Sequence, residues 1–159
     1  MSRVMLILFV VFYAGTGWAA CENMAFFHSE KGELDLPCVD LGTRKCFEAK
    51  LKLNVEALGD KILEFDLLSV DDTSQPVPSA DASALTQTFD SGTFQLHVPA
   101  AVIDSTLDKF EVILRLHVMH GRQPYGLFFT IESIKPAVLP NVCQGSGLDD
   151  VIPDHPTGY

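Results

Sequence analysis

Two histidines and a methionine lie close together in the run His117-Val118-Met119-His120. Imidazole and thioether groups together suit copper or zinc sites, so this run is the candidate metal site of the sequence. On a strand, His117 and Met119 share one face and His120 takes the other, so the three side chains converge only if a bulge re-aims one of them. The alternative, which the pattern favours, is a polar outer face that runs into a turn at Gly121.

The sequence carries no signature of catalysis. Ser146 is the only serine between two glycines, and it lacks the strand and helix that surround a hydrolase nucleophile. No glycine-rich phosphate loop, no His-Glu-x-x-His and no Cys-x-x-Cys motif is present. Paired carboxylates such as Asp71-Asp72 lie in polar segments, where we expect them to be solvated, whereas acid catalysis usually relies on a buried carboxyl group. The sequence therefore predicts a protein that is not an enzyme and holds no cofactor.

Four cysteines are the other chemically distinctive residues. In an oxidising compartment an even set is best explained by two disulfides, for which three connectivities exist. Cys38 and Cys46 lie in two strand-like runs that flank a turn, so a hairpin would bring them face to face. Cys21 and Cys143 then pair by elimination. Each pair is expected to have Cα atoms within about 7 Å.

The N-terminus predicts export. Arg3 is followed by an unbroken apolar run over residues 4–13 and then by small residues. This pattern is typical of a secretory signal peptide, here a helical segment over residues 1–19 cleaved after Ala19, with a periplasmic or secreted product. One alternative is an uncleaved membrane anchor over residues 4–20. Another is lipidation of Cys21, which would leave one of the other cysteines unpaired and which Trp18 fits poorly.

Composition limits the partners. The chain has 159 residues, 47% of them hydrophobic, with 11 basic and 21 acidic side chains and a net charge of −10. An acidic chain repels phosphate backbones, so nucleic acid is excluded as a partner. A membrane is a partner only if the signal is uncleaved or Cys21 is lipidated. Another envelope or extracellular protein is the partner that we expect.

The chain contains a repeated pattern. Residues 32–37 (GELDLP) are similar to 92–99 (GTFQLHVP), 47–53 (FEAKLKL) to 110–116 (FEVILRL), and 63–70 (LEFDLLSV) to 127–134 (LFFTIESI). The blocks keep their order at nearly the same offset, which indicates two units, residues 30–70 and 90–135. They lie in one domain, residues 20–143, followed by a flexible acidic tail over residues 144–159. The second unit also places His97, a further candidate for the metal cluster, on its first strand.

Each unit predicts three strands, because apolar residues alternate with polar ones. We expect an all-β fold, an antiparallel β-sandwich or barrel-like meander of two similar three-stranded halves. Pro37 and Pro99 are expected to end the first strand of each unit. Residues 71–83 should form a polar connection with a helical turn at 80–85, and residues 100–108 a second break. The predicted core consists of Leu34, Leu36, Phe47, Leu51, Leu53, Phe65, Leu67, Phe94, Leu96, Phe110, Leu114, Leu116, Phe129 and Ile131.

The repeated pattern of Gly-x-Leu-x-Leu/Val-Pro, a turn, aromatic-x-x-x-Leu-x-Leu and a closing Leu-x-Phe-x-Leu/Ile resembles a short β-rich repeat of uncharacterised exported bacterial proteins. The second copy has residues 101–104 (AVID) in place of the glycine turn. The resemblance implies an exported β-domain and no particular activity or site residues. The functional expectation is a non-catalytic exported module that binds another protein or serves an envelope assembly, with metal handling as the alternative.

Overall fold

A computed structural model describes residues 21, 23–54, 62–78, 83–140 and 143. The predicted signal segment, the tail, and part of the predicted connection between the halves lie outside these residues. The described chain folds into eight strands and one 3₁₀ helix. The elements are β1 (Ala25–His28), β2 (Glu33–Asp40), β3 (Lys45–Leu53), β4 (Glu64–Pro76), the 3₁₀ helix (Ser83–Leu85), β5 (Gln87–Asp90), β6 (Gln95–Ile103), β7 (Lys109–Val118) and β8 (Leu127–Pro136).

The strands form a closed barrel, so the prediction of an all-β fold is confirmed and the sandwich alternative is wrong. Seven strands close the barrel in the order β1-β2-β3-β4-β8-β7-β6, and β6 pairs with β1. The eighth strand, β5, also pairs with both β2 and β6, so β1 and β5 share the gap between these two strands. β1 fills one end of that gap, beside residues 33–35 and 101–103, and β5 fills the other, beside residues 39–40 and 95–97.

The barrel is mixed, which corrects the expectation of a purely antiparallel sheet. β1 is antiparallel to β2 but parallel to β6, and β5 is antiparallel to β6 but parallel to β2. Each half therefore has four strands rather than three. The sequence pattern did not predict the two short strands, β1 and β5, because four residues are too few to show a clear alternation of apolar and polar side chains.

The pairing is symmetric between the halves. Phe65 of β4 pairs with Phe129 of β8, and these two residues occupy equivalent positions in the repeated blocks. Phe26 pairs with Val102, and their equivalents in the opposite halves, Thr88 and Asp40, also pair. Exchanging the two halves therefore converts one set of pairs into the other.

The prediction that Pro37 and Pro99 end the first strand of each unit is wrong. Pro37 lies inside β2 and Pro99 inside β6. The ladder register shifts between Leu36 and Val39, and again between Val98 and Ala101. A β-bulge leaves one residue without a ladder bond, which is where an interior strand tolerates a proline. Across its bulge the neighbour of β2 changes from β1 to β5, and across the bulge of β6 the neighbour changes from β5 to β1.

Two predicted loops are partly strand. β6 continues to Ile103, so the break expected from residue 100 begins only at residue 104. β4 continues to Pro76 because Lys45, at the start of β3, still pairs with it, so residues 71–76 are not a free connection. The expected helical turn is present as the 3₁₀ helix over Ser83–Leu85.

Most of the predicted core lies in the barrel interior. Eight predicted residues are buried there: Leu34, Leu36, Leu51, Phe65, Leu67, Leu96, Leu114 and Phe129. Five more pack against them while partly buried: Phe47, Leu53, Phe110, Leu116 and Ile131. The prediction for Phe94 is wrong, since its side chain is 55% exposed. Phe94 precedes β6 with a φ of 58°, so the alternation of the strand does not reach it.

Two disulfides join the predicted pairs. Cys38 and Cys46 have a Cα–Cα distance of 4.5 Å across the β2–β3 hairpin. Cys21 and Cys143 have a Cα–Cα distance of 5.7 Å and join the two ends of the described chain. Cys143 also belongs to a second apolar cluster with Leu85. Disulfides of this kind are typical of an oxidising environment.

Candidate functional site

The barrel interior contains a cavity at one end with a volume of about 290 Å³. Aliphatic and aromatic side chains from seven strands line it, and none of the lining residues is polar or ionisable. The lining residues are Phe27, Leu34, Leu53, Leu63, Phe65, Ala101, Ile103, Phe110, Val112, Leu114, Ile131 and Ile134. We call this space the larger cavity.

A second cavity of about 140 Å³ lies at the other end, and we call it the smaller cavity. Its lining residues are Leu36, Val39, Leu41, Phe47, Ala49, Leu51, Leu67, Val70, Phe89, Leu96, Leu116, Leu127 and Phe129. The strand pairing makes Leu34 equivalent to Leu96 rather than to Phe94, since Leu34 pairs with Leu51 and Leu96 with Leu114. With this alignment of the halves, each lining residue of the larger cavity has an equivalent in the smaller one, as Phe27 has Phe89. The smaller cavity adds only Leu36. The barrel symmetry thus produces two related apolar sites of unequal size.

The volumes indicate the size of molecule that each cavity accepts. An apolar protein cavity of about 150 Å³ stays dry and accommodates benzene. The smaller cavity is of that size, and the larger one has room for about two such rings. An apolar molecule gains free energy when it leaves water for either cavity, whereas a polar group would lose its hydration there and find no hydrogen-bond partner. Both cavities therefore favour neutral hydrocarbon-like groups.

Apolar side chains also mark the mouths of the cavities. Leu63 and Ile134 of the larger cavity are 41% and 56% exposed, and Leu41 and Val70 of the smaller cavity are exposed to a similar degree. Because these residues line a cavity and also contact solvent, each cavity communicates with the surface.

The candidate metal residues lie at the end of β7 and in the segment that follows it. His117 lies near the end of β7, where its Nε2 is 2.9 Å from Thr130 Oγ1 and its ring stacks on Phe128 at 5.0 Å. Met119 and His120 follow the strand and are exposed. Among the described residues, no group of three or more His, Cys, Asp or Glu side chains could hold a metal ion.

His97 is distant from this run. It lies opposite Ile113, and His117 is four positions further along β7, which corresponds to roughly 13 Å. His97 Nε2 is instead 3.0 Å from Glu111 Oε1. That hydrogen bond lowers the pKa of Glu111, and it outweighs the desolvation that raises the pKa.

Arg122 joins the two halves where β4 meets β8. This seam has only three paired positions, centred on Phe65 and Phe129. From the β7–β8 loop, Arg122 Nη1 donates to Glu64 Oε2 at 2.7 Å, and Nε donates to Asp66. Burial lowers the pKa of Arg122, but the hydrogen bonds to both carboxylates outweigh it, so the pKa is raised overall.

Removing this arginine should weaken the seam. We expect Arg122→Ala to lower the free energy of unfolding by about 2 kcal/mol, because it leaves two half-buried carboxylates side by side without a cation. Arg115→Ala is the control, since Arg115 pairs with Glu132 on an exposed face and should cost less than about 1 kcal/mol. Urea unfolding of both variants measures the difference, and equal losses would contradict the assignment.

The cavities were missed at the level of sequence. The alternating residues that line them are visible in the repeated blocks, but a void depends on how side chains from seven strands meet.

Among the described residues, no helix has the length and apolar character needed to cross a membrane. Searches of protein-family models, curated proteins and solved structures find no match to the chain.

Proposed function

We propose that this protein is an exported, non-catalytic binding domain that holds a small neutral apolar molecule in the larger cavity. The observation that carries the proposal is a cavity of about 290 Å³ that is lined by apolar side chains and reaches the surface at Leu63 and Ile134. Small ligand sites in proteins are concave and mostly apolar, and closed barrels of about this strand number hold one small ligand.

The lining determines the class of ligand. A charged or strongly polar group inside this cavity would lose its hydration and gain no hydrogen bond in return. The ligand is therefore a neutral hydrocarbon-like molecule of about twelve non-hydrogen atoms, or a larger molecule whose apolar end alone enters. The volume of a benzene-sized cavity sets this size scale.

The absence of ionisable groups from the lining supports a binding role over a catalytic one. General acid or base catalysis needs a titratable side chain within hydrogen-bond reach of the reacting atom. None of the residues around the larger cavity can donate or accept a proton through its side chain.

Export remains part of the proposal. The two disulfides favour an oxidising compartment, and the signal-like residues 1–19 favour the periplasm or the extracellular space. Binding to another envelope or extracellular protein stays a prediction from the sequence, and so does metal handling by His117, Met119 and His120.

Naphthalene, a neutral molecule of two fused rings, is the probe that we choose for the larger cavity. On titration we expect methyl NMR signals of Leu114 and Ile131, which line that cavity, to shift. Ala101→Leu should weaken binding at least tenfold, because it places a longer side chain in the cavity. Ala49→Leu is the matched control, since Ala49 lines the smaller cavity, and it should leave naphthalene affinity within about twofold of the natural protein.

Two results would contradict the proposal. The first is the absence of any saturable shift at Leu114 and Ile131 up to the solubility limit of naphthalene. The second is equal affinity in the natural protein and in a folded Ala101→Leu variant. Thermal unfolding of each variant verifies that it folds.

A further inference from the structure

One pair of equivalent residues lies at the boundary between the two cavities. Leu36 is on β2 and Val98 is on β6, and both side chains are fully buried. They are equivalent because Leu36 pairs with Ala49 and Val98 pairs with Val112. Each is also the last paired residue before the bulge of its strand.

The lining residues show where this boundary lies. Along β2, Leu34 lines the larger cavity and Leu36 lines the smaller one. Along β6, Leu96 lines the smaller cavity and Ala101 the larger one, and Val98 between them lines neither. Leu36 therefore extends from the middle of the barrel into the smaller cavity, whereas its equivalent does not reach the larger one.

The other lining residues do not explain why the cavities differ in volume. Ala101 of the larger cavity is smaller than its equivalent, Val39. Val112 is larger than its equivalent, Ala49, by the same amount, so the two differences cancel. The remaining equivalents are identical or isomeric, except that the larger cavity has one isoleucine in place of a valine, which would make it the smaller of the two. Leu36 is the one side chain that the smaller cavity has in addition.

The strand partner of Leu36 gives this side chain room. Ala49 places only a methyl group opposite Leu36, so the longer leucine side chain can lie over it. The equivalent pair, Val98 and Val112, consists of two short branched side chains. In a close-packed interior a single methylene changes the volume that is left empty, so this difference between the pairs alters the cavity that they border.

We propose that Leu36 is a specificity-determining residue that limits the smaller cavity to a single ring, whereas Val98 leaves the larger cavity free for two fused rings. This inference rests on the proposed function, because it concerns which molecules each apolar cavity accepts. The smaller cavity, of about 140 Å³, is then a second site for a neutral molecule about the size of benzene.

Benzene and naphthalene are the probes, and the methyl signals of Val39 and Leu114 report on the smaller and the larger cavity. In the natural protein we expect benzene to shift both signals and naphthalene to shift only that of Leu114. Leu36→Val should add a saturable naphthalene shift at Val39. Leu85→Val is the matched control, since Leu85 is a buried leucine that lines neither cavity, and it should leave Val39 unresponsive to naphthalene.

The reciprocal exchange tests the same residue pair in the other half. Val98→Leu combined with Val112→Ala places a leucine opposite an alanine beside the larger cavity. Naphthalene binding at Leu114 should then weaken about tenfold or more, the usual effect of one methylene in an apolar pocket, while benzene still binds. Thermal unfolding verifies that each variant folds. If Leu36→Val does not fold, the reciprocal exchange decides, and an unchanged naphthalene affinity overturns the role of Leu36.

The outcomes separate this inference from the proposed function. Three results overturn the role of Leu36 alone, provided that Leu114 responds to naphthalene: a naphthalene shift at Val39 of the natural protein, no benzene shift there, or no naphthalene shift there in folded Leu36→Val. A naphthalene shift at Val39 in Leu36→Val, with none at Leu114 in any variant, supports the role of Leu36 and overturns binding at the larger cavity. No response to either probe in any variant overturns both.

Discussion

Replacing Cys21 and Cys143 together by alanine should lower the free energy of unfolding by about 4.9 kcal/mol, whereas replacing Cys38 and Cys46 should cost about 2.6 kcal/mol. The difference follows from the loops that the bridges close, because the cysteines are 122 residues apart in the first pair and 8 in the second. A longer loop removes more conformational freedom from the unfolded chain.

Urea unfolding of the two double variants, each compared with the oxidised natural protein, measures both losses. Intact mass before and after reduction shows that the remaining bridge is formed in each variant. The prediction is wrong if the short bridge contributes as much as the long one, since chain entropy would then not dominate. That outcome would indicate that local packing at the β2–β3 hairpin determines the contribution of the Cys38–Cys46 bridge.

The second large effect concerns Gln87, a fully buried side chain at the start of β5. Its Oε1 accepts the N–H of Cys38 at 3.2 Å, and its Nε2 donates to the carbonyls of Asn23 at 2.5 Å and Leu85 at 2.9 Å. It therefore connects β2, the chain before β1 and the chain before β5, where the short strands meet. We expect Gln87→Ala to cost about 3 kcal/mol, because three backbone groups lose their partner.

Two further variants sharpen this prediction. Gln87→Glu keeps an acceptor for the Cys38 amide but loses both donated hydrogen bonds, so it should cost at least as much as Gln87→Ala. Gln95→Ala is the control, because the Gln95 amide donates to Glu132 on an exposed face and should cost less than about 1 kcal/mol. Faster hydrogen exchange at the Cys38 amide in Gln87→Ala would show that this amide has lost its hydrogen bond. A loss for Gln87→Ala no larger than that for Gln95→Ala would falsify the assignment.

The long strands could be predicted because each is half-buried and keeps its alternation over many residues. In β3 the apolar series Phe47, Ala49 and Leu51 faces the interior, and the intervening charged side chains face outward. The same argument located the hairpin that pairs Cys38 with Cys46. Local pattern was sufficient there because strands adjacent in the chain are also adjacent in the barrel.

The sequence left a sandwich and a barrel-like meander open, because closure of the barrel depends on contacts between residues distant in the chain. β1 pairs with β6 across more than seventy residues, and four residues such as AFFH do not define a periodic pattern. Gln87 was not singled out for the same reason, since its partners include Cys38 and Asn23. The cavities depend on side chains from seven strands together, which a linear pattern does not determine.

The parallel pairings of β1 and β5 have a consequence for how the chain could be divided. The first strand of each half pairs with the other half, β1 with β6 and β5 with β2, so the halves are joined by reciprocal strand exchange. The seam between β4 and β8 completes the contact. One half alone would leave hydrogen-bonding edges open on three strands. A second copy of the same half carries strands equivalent to all of those edges, so an isolated half is expected to be stable only as a homodimer that reconstitutes the barrel.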